Sequence, residues 1–337
     1  MTAAAESKSA KPAPAKPSFR EAFTVYLKPR VLIVLFLGFA AGLPLALSGS
    51  TLLVWMREAG VDLGTIGLFA LVGTPYTIKF LWAPVVDALD VPLLSRWLGR
   101  RRGWLVLSQL LLMAAIVLLA FCNPAVSPWY LLFGGALLVA AASATQDIVI
   151  DAFRVESLDP SEQAAGMASY VAAYRIGMLI STAGALFVVT GFEDLGFGKN
   201  AAWTMGYIVM AGFVLIGIVT TLIATEPGRS AEARADRAEH ANESPIKRVA
   251  RAAVGAFSEF LSREMALTAL AFVILYKFCD AFAGAMTTPF VIDLGFSRND
   301  YATIVKGVGL AATLIGGFAG GFVARAYPLA TSLWIGA

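Results

Sequence analysis

WLVLSQLLLMAAIVLLAFCNPAVSPWYLLFGGALLVAAASATQDIVID, residues 104 to 151, carries no charge until Asp147 and then places Asp151 four residues further on. Its two apolar stretches, near 104–122 and 129–154, each have the roughly 20 residues that a helix needs to cross a hydrocarbon layer of roughly 30 Å. Further uncharged runs cover 31–56, 176–192, 200–225 and 307–324. With 58% hydrophobic and 15% charged residues among 337, and a mean hydropathy of +0.73, the chain reads as an all-α polytopic membrane protein. The lipid bilayer is therefore its first partner.

Turn signals and uncharged length predict helices near 31–55, 62–86, 104–122, 129–154, 164–190, 202–224, 266–291 and 300–325, with a ninth starting at 329. Residues 1–30, rich in Ala, Pro and Lys, read as a disordered tail. The run from Val31 is too long for a signal-peptide core, so it reads as a retained first span. Residues 225–265 mix both charge signs with few large apolar groups. They form a linker, with an amphipathic surface helix expected near 246–261. Six helices over 31–224 precede it, and 266–337 resumes the spans. LPLALSGSTLLVWMREAGVDLGTIG is faintly echoed by FAGAMTTPFVIDLGFSRNDYATIV, an offset of about 237 residues, as a parallel six-helix repeat would give. A complete second half would need roughly 180 more residues at this spacing, so a C-terminally truncated chain is expected.

Charge sets the orientation. With the N-terminus inside, the inner segments hold 18 Lys and Arg and the outer ones only Arg57, Lys199 and Arg298. No basic patch points to nucleic acid. Cys122 and Cys279 give neither a disulfide framework nor a metal pattern, and the single histidine, His240, lies in the linker. Histidine triads and histidine-rich metal sites are excluded, and no cofactor is expected.

Lys79, Asp147, Asp151, Arg175, Lys277, Asp280 and Lys306 fall within spans, where each charge costs several kcal/mol unless it has a partner, a wet cavity or a task. Lys79, Asp147 and Arg175 come out at a common depth, roughly 12 to 16 Å from the inner surface at 1.5 Å per residue. The reading places Asp147 and Asp151 as an acidic strip on one helical face, opposed by Lys79 and Arg175. Ion pairs that merely fix helix packing are the alternative for any one of them, but seven intramembrane charges favour a polar pathway. Desolvation favours a neutral carboxyl and a nearby cation an ionised one, so a cation that moves between two conformations switches protonation. Asp147 and Asp151 are the candidates for such proton coupling. In GFAAGLPLALSGS, Gly42 and Pro44 are expected to interrupt the first helix, and Pro75 precedes Lys79 by one turn.

Residues 87–103, DALDVPLLSRWLGRRRG, resemble the signature loop between helices 2 and 3 of the major facilitator superfamily, with a longer insertion. By that resemblance Asp87, Arg100, Arg101 and Arg102 would latch the cytoplasmic side. GFAAGLPLALSGSTLLVWM, GTPYTIKFLWAPVVD, GRRRGWLVLSQ, SATQDIVIDAF, AAYRIGMLIS and LYKFCDAFAGAMTTPF together resemble the AmpG-type muropeptide permeases of that superfamily, over residues 30 to 325. The resemblance implies a multi-pass protein of the bacterial inner membrane that imports anhydro-muropeptides, driven by the proton gradient, for peptidoglycan recycling. Such a cargo carries sugar hydroxyls and peptide carboxylates. Lys79, Arg175, Lys277 and Lys306 would then bind its acids, with Asp280 beside them, and Gln146, Tyr174 and Trp82 would offer hydrogen bonds and a stacking face.

Three other readings stand beside this one. A related facilitator could carry another anionic metabolite such as acetyl-CoA. A membrane prenyl or glycosyl transferase would need acidic metal-binding loops, whereas here the paired aspartates lie within a span. A truncated, non-transporting membrane protein is the third.

Overall fold

The computed structural model describes residues 24–228, 239, 243–278, 294–295 and 308–336. All regular structure among them is helical. Six helical segments are long and apolar enough to cross a membrane: α1 (Pro29–Glu58), α2 (Leu63–Leu81), α3 (Arg100–Ala120), α4 (Trp129–Ser157), α5 (Gln163–Asp194) and α6 (Lys199–Ile223). They match the six expected spans, with ends moved by a few residues. Beyond them lie α7 (Pro245–Ser262), α8 (Ala266–Phe278), α9 (Gly309–Ala326) and α10 (Leu329–Gly336). The amphipathic helix expected near 246–261 is α7, capped by Ser244 and packed against a short helix, Ala83–Ala88. Residues 24–30, read as the end of a disordered tail, instead form a turn over Val25–Leu27 and the start of α1. Of the spans predicted at 266–291 and 300–325, residues 279–291, Cys279 among them, and 300–307 lie outside the described residues, as does His240.

The bundle is built around α1, which packs on α4, α5 and α6, while α3 packs on α4 and α6. One end carries Arg30, Arg100, Arg101, Arg102 and Arg154 and is called the basic end below. At the opposite end Trp55, Leu112, Ile116, Leu119, Val139, Trp203 and Tyr207 form the larger apolar core, with the rings of Trp55 and Trp203 stacked at 5.6 Å. Leu37, Ala41, Leu105, Val149 and Phe153 make a second core nearer the basic end.

The first helix does not break where the sequence suggested. Pro44 is carried inside Pro29–Ser48, and the interruption comes at Gly49, with φ −112° and ψ −113°. Backbone groups near a break need partners where no water reaches them. Tyr207 Oη donates to the Leu47 carbonyl at 2.8 Å, and Thr51 Oγ1 donates to the Ser181 carbonyl at 2.6 Å. That carbonyl belongs to a π-helical turn, Ile180–Gly184, within α5. Gly42 has a different task from the one expected of it. A Cβ there would collide with the Tyr174 carbonyl, and one at Gly38 would lie 2.6 Å from the Tyr170 carbonyl. These two glycines, four apart, let the α1 and α5 backbones touch, the small-residue packing that close helix crossing in lipid requires.

The second span is not one continuous helix either. A short α-helix, a 3-10 turn over Phe69–Gly73, the helix Thr74–Ile78 and a 3-10 turn over Lys79–Leu81 follow one another, and Ala83–Ala88 begins after Trp82. Pro75 and Pro84 sit in the first turns of the two later helices. Each lacks the N–H that would continue the ladder from the preceding turn, so the chain restarts at each one.

Candidate functional site

Toward the basic end of the second span the restarted backbone presents Tyr76, Lys79 and Trp82 at three-residue intervals, and α4 faces them with Ser143, Thr145 and Asp147. Lys79 Nζ lies 3.8 Å from Asp147 Oδ2, with the lysine side chain 32% and the aspartate 12% exposed. Trp82 Nε1 donates to Thr145 Oγ1 at 3.2 Å, which fixes the indole against α4. Asp147 Oδ1 is buried with no hydrogen-bond partner, and so are both amide atoms of Gln146, the Ser143 hydroxyl and the Tyr76 hydroxyl. Buried polar atoms in folded proteins are nearly always paired, so five such atoms around one ion pair mark a place where something other than packing is served. Tyr174 and Tyr170 close the site from α5, their rings 6.1 Å apart.

Asp151 does not join this pair. It is half exposed, and its partner is Arg154 on the same helix, 3.7 Å away. One turn from Asp147 along α4 carries it past the lysine and out to the basic end. Arg175 is exposed on α5 and makes no ion pair with either aspartate among the described residues. The expected acidic strip opposed by two cations is thus one Lys79–Asp147 pair with Asp151 below it. Lys277 is exposed on α8, and Asp280 and Lys306 lie outside the described residues.

A second charged cluster closes the basic end. Arg100, Arg101 and Arg102 are not in a loop but form the first turn of α3. Arg101 is buried and bridges Asp87, at 2.8 Å, to Glu156 of α4, whose two oxygens each accept from its Nε at 3.1 Å. Arg100 adds a bond to Glu156 at 3.3 Å and one to the Asp87 carbonyl at 3.1 Å. Arg102 turns the other way and donates to the Thr221 and Leu222 carbonyls at 2.9 and 2.7 Å, capping the end of α6. Glu226 returns the contact, its two oxygens accepting from the backbone N–H groups of Arg101 and Arg102 at 2.9 and 3.0 Å. An acid against a helix N-terminus satisfies orphan donors and complements the dipole. Gly99, at φ 93°, leaves room for that carboxylate, which a Cβ would strike. Beside the cluster, a cavity of about 770 Å³ between α1, α4 and α6 is lined by Ile33, Phe36, Leu215 and Val219, with Glu156 and Glu226 at its mouth.

Sequence reasoning missed Glu156, Glu226, Tyr76 and Ser143. Glu156 continues the acidic side of α4 beyond Asp151 and was within reach of a helical reading. Glu226 had no signal, because it is the first charge of a linker that looks solvated throughout.

Residues 34–337 match the family model of the Major Facilitator Superfamily. The chain belongs to the major facilitator superfamily. Among curated relatives, the anhydromuropeptide permease of Escherichia coli K12 is 37% identical over 314 residues, which cover 92% of this chain and 58% of the relative. Putative transporter AmpG 4 of Rickettsia felis is 36% identical over 296 residues, 87% of this chain and 67% of that protein. An uncharacterized protein of Haemophilus influenzae is 33% identical over 310 residues, with 91% and 67% covered. The chain therefore groups with the AmpG-type members of the superfamily, as its sequence blocks suggested, and spans 58% of the length of the Escherichia coli relative. With six apolar spans this makes it a multi-pass membrane protein of a transporter family, and the transferase reading falls.

Proposed function

We propose that the protein to which this chain belongs is a proton-coupled importer of anhydro-muropeptides in the bacterial inner membrane, serving peptidoglycan recycling. The observation that carries this reading is the Lys79–Asp147 pair, set within its spans and surrounded by buried polar atoms without partners. The similarity to the anhydromuropeptide permease of Escherichia coli supports the cargo, and the excess of Lys and Arg at the basic end supports a cytoplasmic N-terminus. Residues 31–224 are then the first six-helix unit, 225–265 the cytoplasmic linker and 266–337 the start of the second unit.

In this scheme Lys79 and Arg175 bind cargo carboxylates, with Lys277, Asp280 and Lys306 contributing from the second unit. Trp82 and Tyr174 stack on the sugar faces, and Gln146 takes a sugar hydroxyl or amide. Cargo carboxylate competing for Lys79 frees Asp147 to take a proton, which ties substrate to proton movement. Asp151, at the basic end, exchanges that proton with the cytoplasm. The network of Asp87, Arg100 and Arg101 acts as the cytoplasmic latch, and Arg102 ties α3 to α6 as a hinge. The proton gradient is the energy source, and no cofactor is required.

Uptake of radiolabelled anhydro-muropeptide into membrane vesicles carrying the protein tests the proposal. Accumulation that collapses with a protonophore, and that excess acetyl-CoA leaves intact, is the expected result. Uptake blocked by acetyl-CoA and indifferent to muropeptide would assign the site to a different anion.

A further inference from the structure

One face of α7 stands uncovered among the described residues. Ile246, Val254, Phe257 and Leu261 fall on a single stripe at helical spacing and are 82, 68, 63 and 53% exposed. On the opposite side Arg248, Ala252 and Gly255 are half-buried, and the helix packs on Ala83–Ala88. Four large apolar side chains in a row over about four turns mark an interaction surface. Two attachments hold α7 at the level where the spans meet water. Ala83–Ala88 follows the second span directly and carries Asp87 of the charged cluster at the basic end. After Ser262, only Arg263, Glu264 and Met265 separate α7 from α8, which is exposed from Leu267 to Phe278 with Lys277 as its one charge. A helix so apolar and so little covered by protein belongs in lipid, so α7 ends at the lipid boundary. Its charges are placed unevenly. Lys247, Arg248 and Arg251 lie in the first two turns, and Lys247 borders the stripe. Arg251 engages Glu243 at 3.0 Å, and Arg263 engages Glu259 at 2.7 Å. Glu264 lies past the other end, roughly 25 Å from Lys247 at 1.5 Å per residue. The surplus positive charge is therefore at Lys247 and Arg248.

We propose that α7 is an in-plane membrane anchor whose Ile246, Val254, Phe257 and Leu261 stripe sinks into the lipid surface at the basic end, with Lys247 and Arg248 on anionic phospholipid headgroups. The bilayer is the partner already present at this level, and covering the stripe with it needs no further chain. Apolar side chains reach below the headgroups, while long basic side chains extend back to the phosphates. A zwitterionic surface would satisfy the stripe alone. The basic first turns add the preference for anionic lipid. None of these residues belongs to the Lys79–Asp147 site, so the anchor stands or falls apart from the cargo and the proton.

Spin-label depth measurement on the full chain in nanodiscs tests the anchor. With Cys122 and Cys279 replaced by serine, a nitroxide is attached at Phe257→Cys on the stripe or at Gly255→Cys on the opposite side, where a Cβ meets no neighbour. Collision with oxygen, which enters lipid, is compared with collision with a nickel chelate, which stays in water. The ratio of the two should be at least about threefold higher at 257 than at 255. Replacing about a third of the phosphatidylcholine by phosphatidylglycerol should raise it further at 257, and Lys247→Gln with Arg248→Gln should abolish that rise, at about fivefold in the docking equilibrium per charge. Val254→Cys, on the same stripe, gives the same reading should the Phe257 variant fold poorly. Equal ratios at 257 and 255 place the stripe in water and overturn the proposal. A label at 257 shielded from both reagents means that protein, a second unit or a second copy, covers the stripe, and overturns it as well. A ratio indifferent to phosphatidylglycerol overturns the recognition of anionic headgroups.

Discussion

Asp147 faces Lys79 through one oxygen and is bare at the other, and that asymmetry separates it from a structural ion pair. A carboxylate that served only packing would have both oxygens satisfied, because an unpaired buried acceptor costs about 1–3 kcal/mol or more. Asp147→Asn keeps the shape and removes the proton site. The expected outcome is loss of proton-driven accumulation with cargo exchange spared, read by uptake and counterflow in proteoliposomes. Gly42 makes a prediction of a purely mechanical kind. Gly42→Val forces a side chain into the Tyr174 backbone, so thermal unfolding in detergent should show a loss of about 1–3 kcal/mol or more. Asp147 and Lys79 were legible in the sequence because a lone charge in an apolar run is conspicuous. Asp151 was misread, since four residues along a helix fix a shared face but leave open where the span meets water.

Among elements, the reciprocal cap between α3 and α6 is the clearest joint. Glu226→Ala removes a carboxylate from two N-terminal donors, so α3 should lose about 1–2 kcal/mol. Limited proteolysis near residue 228 should rise with it. At the entry to α5, Glu162 is buried against Lys28. The hydrogen bond from Lys28 holds its carboxyl below the usual carboxylate range, and the backbone N–H of Asp159 adds to this. A depressed value adds stability above the ordinary carboxylate range, and that stability fades as pH falls through the lowered value. Wild type should therefore melt above Glu162→Gln at neutral pH and converge with it in acid. Uncharged runs announced five of the six spans, and turn signals the second, but their interruptions were only partly readable. Pro75 and Pro84 restart the second span as an absent N–H requires, whereas Pro44 is carried within its helix and the break falls at Gly49. Only the three-dimensional neighbours determine which carbonyls are satisfied away from the ladder: Tyr207 donates to the Leu47 carbonyl, and Thr51 donates to the Ser181 carbonyl.

For the whole molecule, α2 and α5 are the least covered of the six spans, and α9 already lies along α5, while Tyr26 Oη of the turn before α1 donates to the Phe318 carbonyl of α9 at 3.4 Å. This is the arrangement expected if a second helical unit closes over α2 and α5 and makes Lys79, Trp82 and Tyr174 one wall of a cleft. Local hydropathy revealed the membrane class and the apolar spans, since both depend on composition along the chain. The pairing of charges between spans was beyond it, because helix rotation is set by contacts such as Gly38 and Gly42 on α5. The most direct test is binding of an anhydro-muropeptide to the purified protein, followed by tryptophan fluorescence and calorimetry, in wild type, Lys79→Arg and Lys79→Ala. The account predicts saturable binding to wild type, partial retention in Lys79→Arg, and at least about a tenfold loss in Lys79→Ala, the worth of one charge-assisted contact. Equal affinity in all three proteins, or no binding to any, would contradict it.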